Sequence, residues 1–152
     1  MSKTSVLLMG SSDGKWNFTG DKIRCDGYWS SGVSCNHTVV FFLQNFTGRI
    51  WIEGSLAAEP THEDWFPIWL GSHPYAEFPQ IPVRSLTQAA IGASAGEQIG
   101  DTGAFPYNFE ANLIWVRARL DRGHIAPRPN IESDLYDGVT NIYGIIKKIL
   151  FN

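Results

Sequence analysis

Charge is what this sequence has least of: 18% of its 152 residues are Asp, Glu, Lys or Arg, and the formal net charge is −3. A mildly acidic chain offers no basic face of the kind a general nucleic-acid binder needs, so no nucleic-acid partner is expected. Long hydrophobic runs are missing too. No window approaches the roughly 18 apolar residues of a membrane-spanning helix, so no membrane partner is expected. Cysteine is scarce: Cys25 and Cys35 stand ten residues apart, without Cys-x-x-Cys spacing. His37 alone does not complete a zinc site around them, and neither a metal nor a cofactor is expected. Two buried thiols and a bond between them both stay open.

Aromatic residues are plentiful instead, with 6 Trp, 9 Phe and 5 Tyr beside 15 Gly and 8 Pro. That is the composition of sheets joined by turns; a helical bundle would be rich in Leu, Ala, Glu and Lys. A 43% hydrophobic content argues against disorder. A chain of this length makes one domain that buries about 70% of its unfolded surface. The apolar run Val6–Met9 is four residues long, short of the core of about 7–15 in a signal peptide, so folding in a cytosol is expected. The three Asn-x-Thr triplets at Asn17, Asn36 and Asn45 are accordingly read as turn and strand residues.

The clearest local pattern runs from Thr38 to Leu56. Thr38–Gln44 is β-branched and aromatic, and Ile50, Ile52 and Leu56 alternate with Arg49, Trp51, Glu53 and Ser55. Period two predicts strands, and the Asn45–Gly48 turn between them predicts a β-hairpin. Phe41, Phe42, Ile50, Ile52 and Val116 are assigned to the core, and Trp51 faces away from it. Asn17-Phe18-Thr19-Gly20 repeats the Asn45–Gly48 letters and reads as the same tight turn used twice. Thr61–Asp64 has the cap-then-acid character of one helical turn. Residues 71–106 carry four prolines and the small-residue tract Gln88–Gly103, which predicts a long loop insertion. Phe109 to Asp121 alternates again, with Leu113, Trp115, Arg117, Arg119 and Asp121 on one face and Ile114, Val116, Ala118 and Leu120 on the core face. Gly123–Asp137 reads as irregular, and Gly138–Asn152 as two short strands. The expected fold is all-β: residues 1–152 form one antiparallel β-sandwich of jelly-roll or galactose-binding-like type, with long Pro/Gly loops.

Motifs for chemistry are weak. Gly92-Ala93-Ser94-Ala95-Gly96 matches the letters of a nucleophile elbow, but a small-residue tract is not the strand–turn–helix that such an elbow requires. His62-Glu63-Asp64 reads as an exposed acidic turn, not a ligand set. Glu53, Glu77 and Glu110 are available as carboxylates for a glycosidase pair, whose placement across a cleft the sequence does not give. No catalytic residue is assigned. Aromatics in turn-rich regions can fill a core, anchor a protein interface or stack on sugars. The candidate interface residues are Tyr28, Trp29, Trp51, Trp65, Trp69, Tyr75, Trp115, Arg117 and Arg119.

Asn45–Ala57, Glu59-Pro60, Asp64–Ile68, Phe109–Asp121 and Gly144–Asn152 together, in this order, resemble the small β-sandwich virion structural proteins of tailed bacteriophages, especially those of cyanobacteria. The likeness covers about half the chain and carries no catalytic motif. It implies a building role as an accessory subunit, a capsid decoration or a neck or tail component. The implied partners are other virion proteins and further copies of the chain, with assembly in the host cytoplasm. A carbohydrate-binding adhesion module that meets host glycans is the alternative, and a hydrolase comes third.

Overall fold

A computed structural model of the chain describes residues 5–13, 15–25, 36–80, 100–124 and 143–152. The fold is all-β, with antiparallel strands in two sheets. The first sheet has the order β1 (Val6–Met9), β10 (Ile145–Phe151), β4 (Asn36–Phe46), β8 (Asp101–Glu110). In the second, β9 (Trp115–Asp121) and β5 (Gly48–Ser55) are central. The short strands β2 (Phe18–Thr19) and β3 (Ile23–Arg24) flank β9, while β6 (Phe66–Pro67) and β7 (Ala76–Phe78) flank β5.

The period-two reading holds through β4 and most of β5 and β9, but Leu56, placed in the core phase, is 53% exposed, Ser55 and Leu113, placed outward, are buried, and a bulge between Ile146 and Lys148 breaks the alternation of β10. Val39, Phe41 and Leu43 of β4 and Ile146 and Ile149 of β10 are buried, as are Ile50 and Ile52 of β5 and Val116, Ala118 and Leu120 of β9. They form one core between the sheets. Phe78 makes edge-to-face contacts with Phe41, Phe46 and Phe105 at 5.2–6.0 Å, so part of the aromatic surplus fills this core. Phe42 does not join it. Strict alternation turns that ring outward, where Lys148 Nζ lies 4.9 Å from its centroid.

Four local readings change. β4 and β5 do not pair as a hairpin: they belong to opposite sheets, and Asn45–Gly48 is the corner between them. Thr47 shows why, since its N–H donates to Tyr143 O at 2.9 Å and its carbonyl accepts from Arg122 Nε at 2.8 Å. Neither bond closes a turn back onto β4. Asn45 has φ 50° and Gly48 φ 154°, backbone that Asn and Gly tolerate. The matching Asn17–Gly20 letters do something else, because Phe18 and Thr19 are strand paired to β9. β7 and Asp101–Pro106 of β8 lie within the expected 71–106 loop, whose middle, 81–99, is outside the described residues. Asp101, Gly103 and Ala104 pair with β4 in the ladder and the Thr102 hydroxyl accepts from Asn45 N–H at 2.9 Å, none of which needs large side chains. Pro106 is tolerated because β8 is an edge strand. Thr61–Asp64 is a turn without a helix: Asp64 N donates to Thr61 O, and the Asp64 carboxylate accepts from the Thr61 N–H and hydroxyl. Those bonds hold its carboxyl below the usual range.

One buried arginine ties the corner together. Arg122 is 0% exposed, and each of its five donors reaches a main-chain carbonyl. Nε donates to Thr47, Nη1 to Lys15 and Trp16, and Nη2 to Tyr143 and Gly144, at 2.8–3.3 Å. The rings of Trp16 and Phe46 lie 5.2 and 4.9 Å from its guanidinium carbon. Gly48, Gly100 and Gly144 crowd the same corner: a Cβ at each would come within 2.9, 2.6 and 2.0 Å of Phe46, Asn45 and Asn45 respectively.

Candidate functional site

The outward face of the second sheet is set by the β5–β9 register. Arg49 stands opposite Asp121, Trp51 opposite Arg119, Glu53 opposite Arg117 and Ser55 opposite Trp115. Alternation sends Ile50, Ile52, Val116 and Ala118 inward, and so turns these residues outward.

Glu53 is the hub. Its side chain is only 11% exposed, and its two oxygens accept from Arg117 Nε at 2.9 Å and Arg119 Nε at 3.2 Å. Arg119 also approaches Asp121 at 3.6 Å, and Arg49 pairs with Glu77 at 2.8 Å. Each guanidinium lies on a ring as well: Arg117 on Trp65 at 4.1 Å, Arg119 on Trp51 at 4.8 Å and Arg49 on Tyr75 at 4.5 Å. Lys22 and Arg24 share Trp115 at 4.8 and 5.5 Å, and the Trp115 indole N–H donates to Ala58 O. Trp51 packs on Tyr75 with centroids 5.0 Å apart. Its indole N–H is buried without an acceptor, so Trp51 serves through its ring face and not as a donor.

Of the nine residues singled out from the sequence, six are thus assembled on one face: Trp51, Trp65, Tyr75, Trp115, Arg117 and Arg119. Their rings are half-buried by the chain's own arginines, whereas Trp69 is 60% exposed. Tyr28 and Trp29 lie outside the described residues, as do Ser94 and Cys35; Cys25 is buried. Glu53 enters as an ion-pair hub and not as a glycosidase acid, since both its oxygens are engaged. Glu77 holds Arg49 and approaches His124 at 3.7 Å, with burial pushing the His124 imidazole below its ordinary value. Glu110 is on β8, in the other sheet. His37 is engaged structurally, with its ring nitrogens at Ala111 O and Asn152 O. Among the described residues no group of three or more His, Cys, Asp or Glu could hold a metal ion.

Replacing Glu53 by Ala leaves two guanidinium groups side by side without their shared counter-ion. The expected cost is about 1–3 kcal/mol, below the fully buried case because both arginines keep partial water access. The shift of the urea midpoint measures it, and an unchanged midpoint would refute the hub.

The sequence named Glu53 as a spare carboxylate and Arg49 as outward-facing without showing either as an ion-pair member, and it gave no sign of Arg122 or of the exposed Leu7, Leu56 and Phe66. Glu53 shares the outward phase of Trp51, and that was the one signal available; knowing its partners requires the register. No family model, no curated protein and no solved structure matches the chain.

Proposed function

We propose that the chain is a structural subunit of a tailed-phage particle, an accessory protein of the capsid, neck or tail that acts through protein–protein contacts and not as an enzyme. One observation carries the reading: large apolar side chains stand in water along one edge of the second sheet. Leu56 is 53% exposed, Phe66 38% and Trp69 60%. Phe66 pairs with Gly54 at the end of β5, Leu56 follows that end, and Trp69 follows β6. Exposed aromatic and aliphatic side chains are the kind of anchors an interface centre uses. The resemblance of residues 45–57, 64–68, 109–121 and 144–152 to phage sandwiches supplies the setting. Further copies of the chain and other virion proteins are the partners, and the interface is expected to exceed about 1,000 Å².

Electron microscopy of whole particles tests this. The expected result is repeated density of this size, with incorporation of Trp69→Ser reduced at least about tenfold. The isolated variant should keep its stability within about 0.5 kcal/mol, because the side chain is exposed. Particles without the chain, or equal incorporation of the variant, would overturn the proposal.

A further inference from the structure

We propose that the groove between the Leu70–Gln80 segment and Tyr107 is a binding site for an uncharged, polyhydroxylated ligand, a neutral glycan. The groove has a volume of about 460 Å³ and is lined by Ser72, His73, Tyr75, Glu77, Gln80 and Tyr107 among others. That volume falls within the roughly 300–1,000 Å³ of small-molecule sites. Its walls come from both sheets, β7 on one side and β8 on the other. They are pinned by main-chain bonds: Leu70 N donates to His73 O at 2.8 Å, and Gln80 N to the buried Asp101 carboxylate at 2.7 Å.

The lining groups keep unused hydrogen-bonding capacity. Tyr107 accepts from Gln80 Nε2, which leaves its own O–H to donate elsewhere and the Gln80 Oε1 to accept. Burial raises the Tyr107 hydroxyl above its ordinary value, so that proton stays in place. Both contacts of Glu77, to Arg49 and His124, use Oε1, and Oε2 remains open. His73 meets Ser72 Oγ through Nδ1, and its Nε2 remains open. Donors and acceptors therefore stand together on one hollow lined by two tyrosines.

Hydroxyl groups match that mixture, because each donates and accepts, and sugar rings offer apolar C–H faces to aromatic walls. The charge balance selects among sugars. Glu77 is the carboxylate on the described lining, Asp101 lies behind Gln80, and neither lysine nor arginine is among the described lining residues. Glu77 is already paired with Arg49, so an acidic sugar finds no uncompensated cation there. The larger hollow at the ends of β4, β8 and β10, about 880 Å³, carries less, since Thr38 and Asn108 bond each other and His37 bonds two main-chain oxygens.

The test is an array of immobilised oligosaccharides, with neutral hexose and N-acetylhexosamine chains beside sialylated and uronic-acid ones, probed with the labelled full chain. Binding confined to neutral glycans is expected. Tyr107→Phe and Gln80→Ala should each weaken it about tenfold, with unchanged melting curves, as loss of a hydrogen bond to the ligand implies. Glu110→Gln in the larger hollow should bind as the wild type does. A blank array, binding to acidic glycans alone, or binding indifferent to both groove variants would overturn the site. Normal incorporation into particles beside a blank array would leave the structural role standing.

Discussion

Arg122→Met is expected to lower stability by about 4 kcal/mol or more, a large part of the roughly 5–15 kcal/mol that holds a domain folded. The guanidinium is fully buried and satisfies five main-chain carbonyls from three separate stretches, Lys15–Trp16, Thr47 and Tyr143–Gly144. Methionine fills much of the same volume between Trp16 and Phe46 but donates nothing. The carbonyls lose their donors while staying at least partly shielded from water, and each such loss costs about 1–3 kcal/mol where burial is complete. Arg122→Lys keeps the charge yet lacks the planar fork, so it should recover less than half of the loss. Guanidinium denaturation reads both variants, and a midpoint for Arg122→Met close to that of the wild type would remove Arg122 from this role.

Gly144→Ala is expected to cost about 3–5 kcal/mol. Two effects add at this position. Its φ of 63° is left-handed, which costs an L residue about 1–2 kcal/mol. A methyl group there would also lie 2.0 Å from Asn45 O and 2.3 Å from Gln44 O. Both are backbone atoms, so relief requires the corner itself to move. Gly71→Ala provides the comparison. Gly71 has φ 74° with nothing within 4 Å of its would-be Cβ, so only the conformational part should appear, about 1 kcal/mol. Equal melting temperatures for the two variants would mean that the corner yields easily.

Much of the sandwich was legible because alternation is a local property. The two central strands of the second sheet follow from residues that repeat every second position, whereas β1 showed only as a four-residue apolar run and Ile145–Phe151 as part of a stretch read as two short strands. Sheet membership is not local. Phe41 and Ile50 both face the core, and that holds whether β4 and β5 pair or arch over it. The choice is made by the Thr47 peptide, whose partners Arg122 and Tyr143 lie far along the chain. The start of β8 was hidden for a different reason. Asp101, Thr102, Gly103 and Ala104 give no hydrophobic signal: Asp101, Gly103 and Ala104 pair with Phe46, Leu43 and Phe42, and at the bulge between them the Thr102 hydroxyl accepts from Asn45 N–H.

The candidate face was legible to the same degree. Trp51, Trp115, Arg117 and Arg119 sit in the outward phase of their strands, and the sequence shows that directly. What covers them depends on the register that sets Glu53 opposite Arg117 and Trp51 opposite Arg119. The expectation that these rings await an outside partner therefore narrows: arginines of the same chain occupy them, and Trp69 with Phe66 keeps the open surface. The groove beside Tyr107 gave no sequence signal at all, because its walls meet only when β7 and β8 are both in place.

The strand order of the first sheet has a bearing on synthesis. β10, the last described strand to leave the ribosome, lies between β1 and β4 and pairs with both. Until it emerges, β1 lacks its ladder partner and one side of β4 stands open. Closure between β1 and β10 is a contact of long sequence separation, which folds slowly and leaves unpaired edges exposed meanwhile. The growing chain must therefore hold this sheet incomplete until β10 slots between β1 and β4.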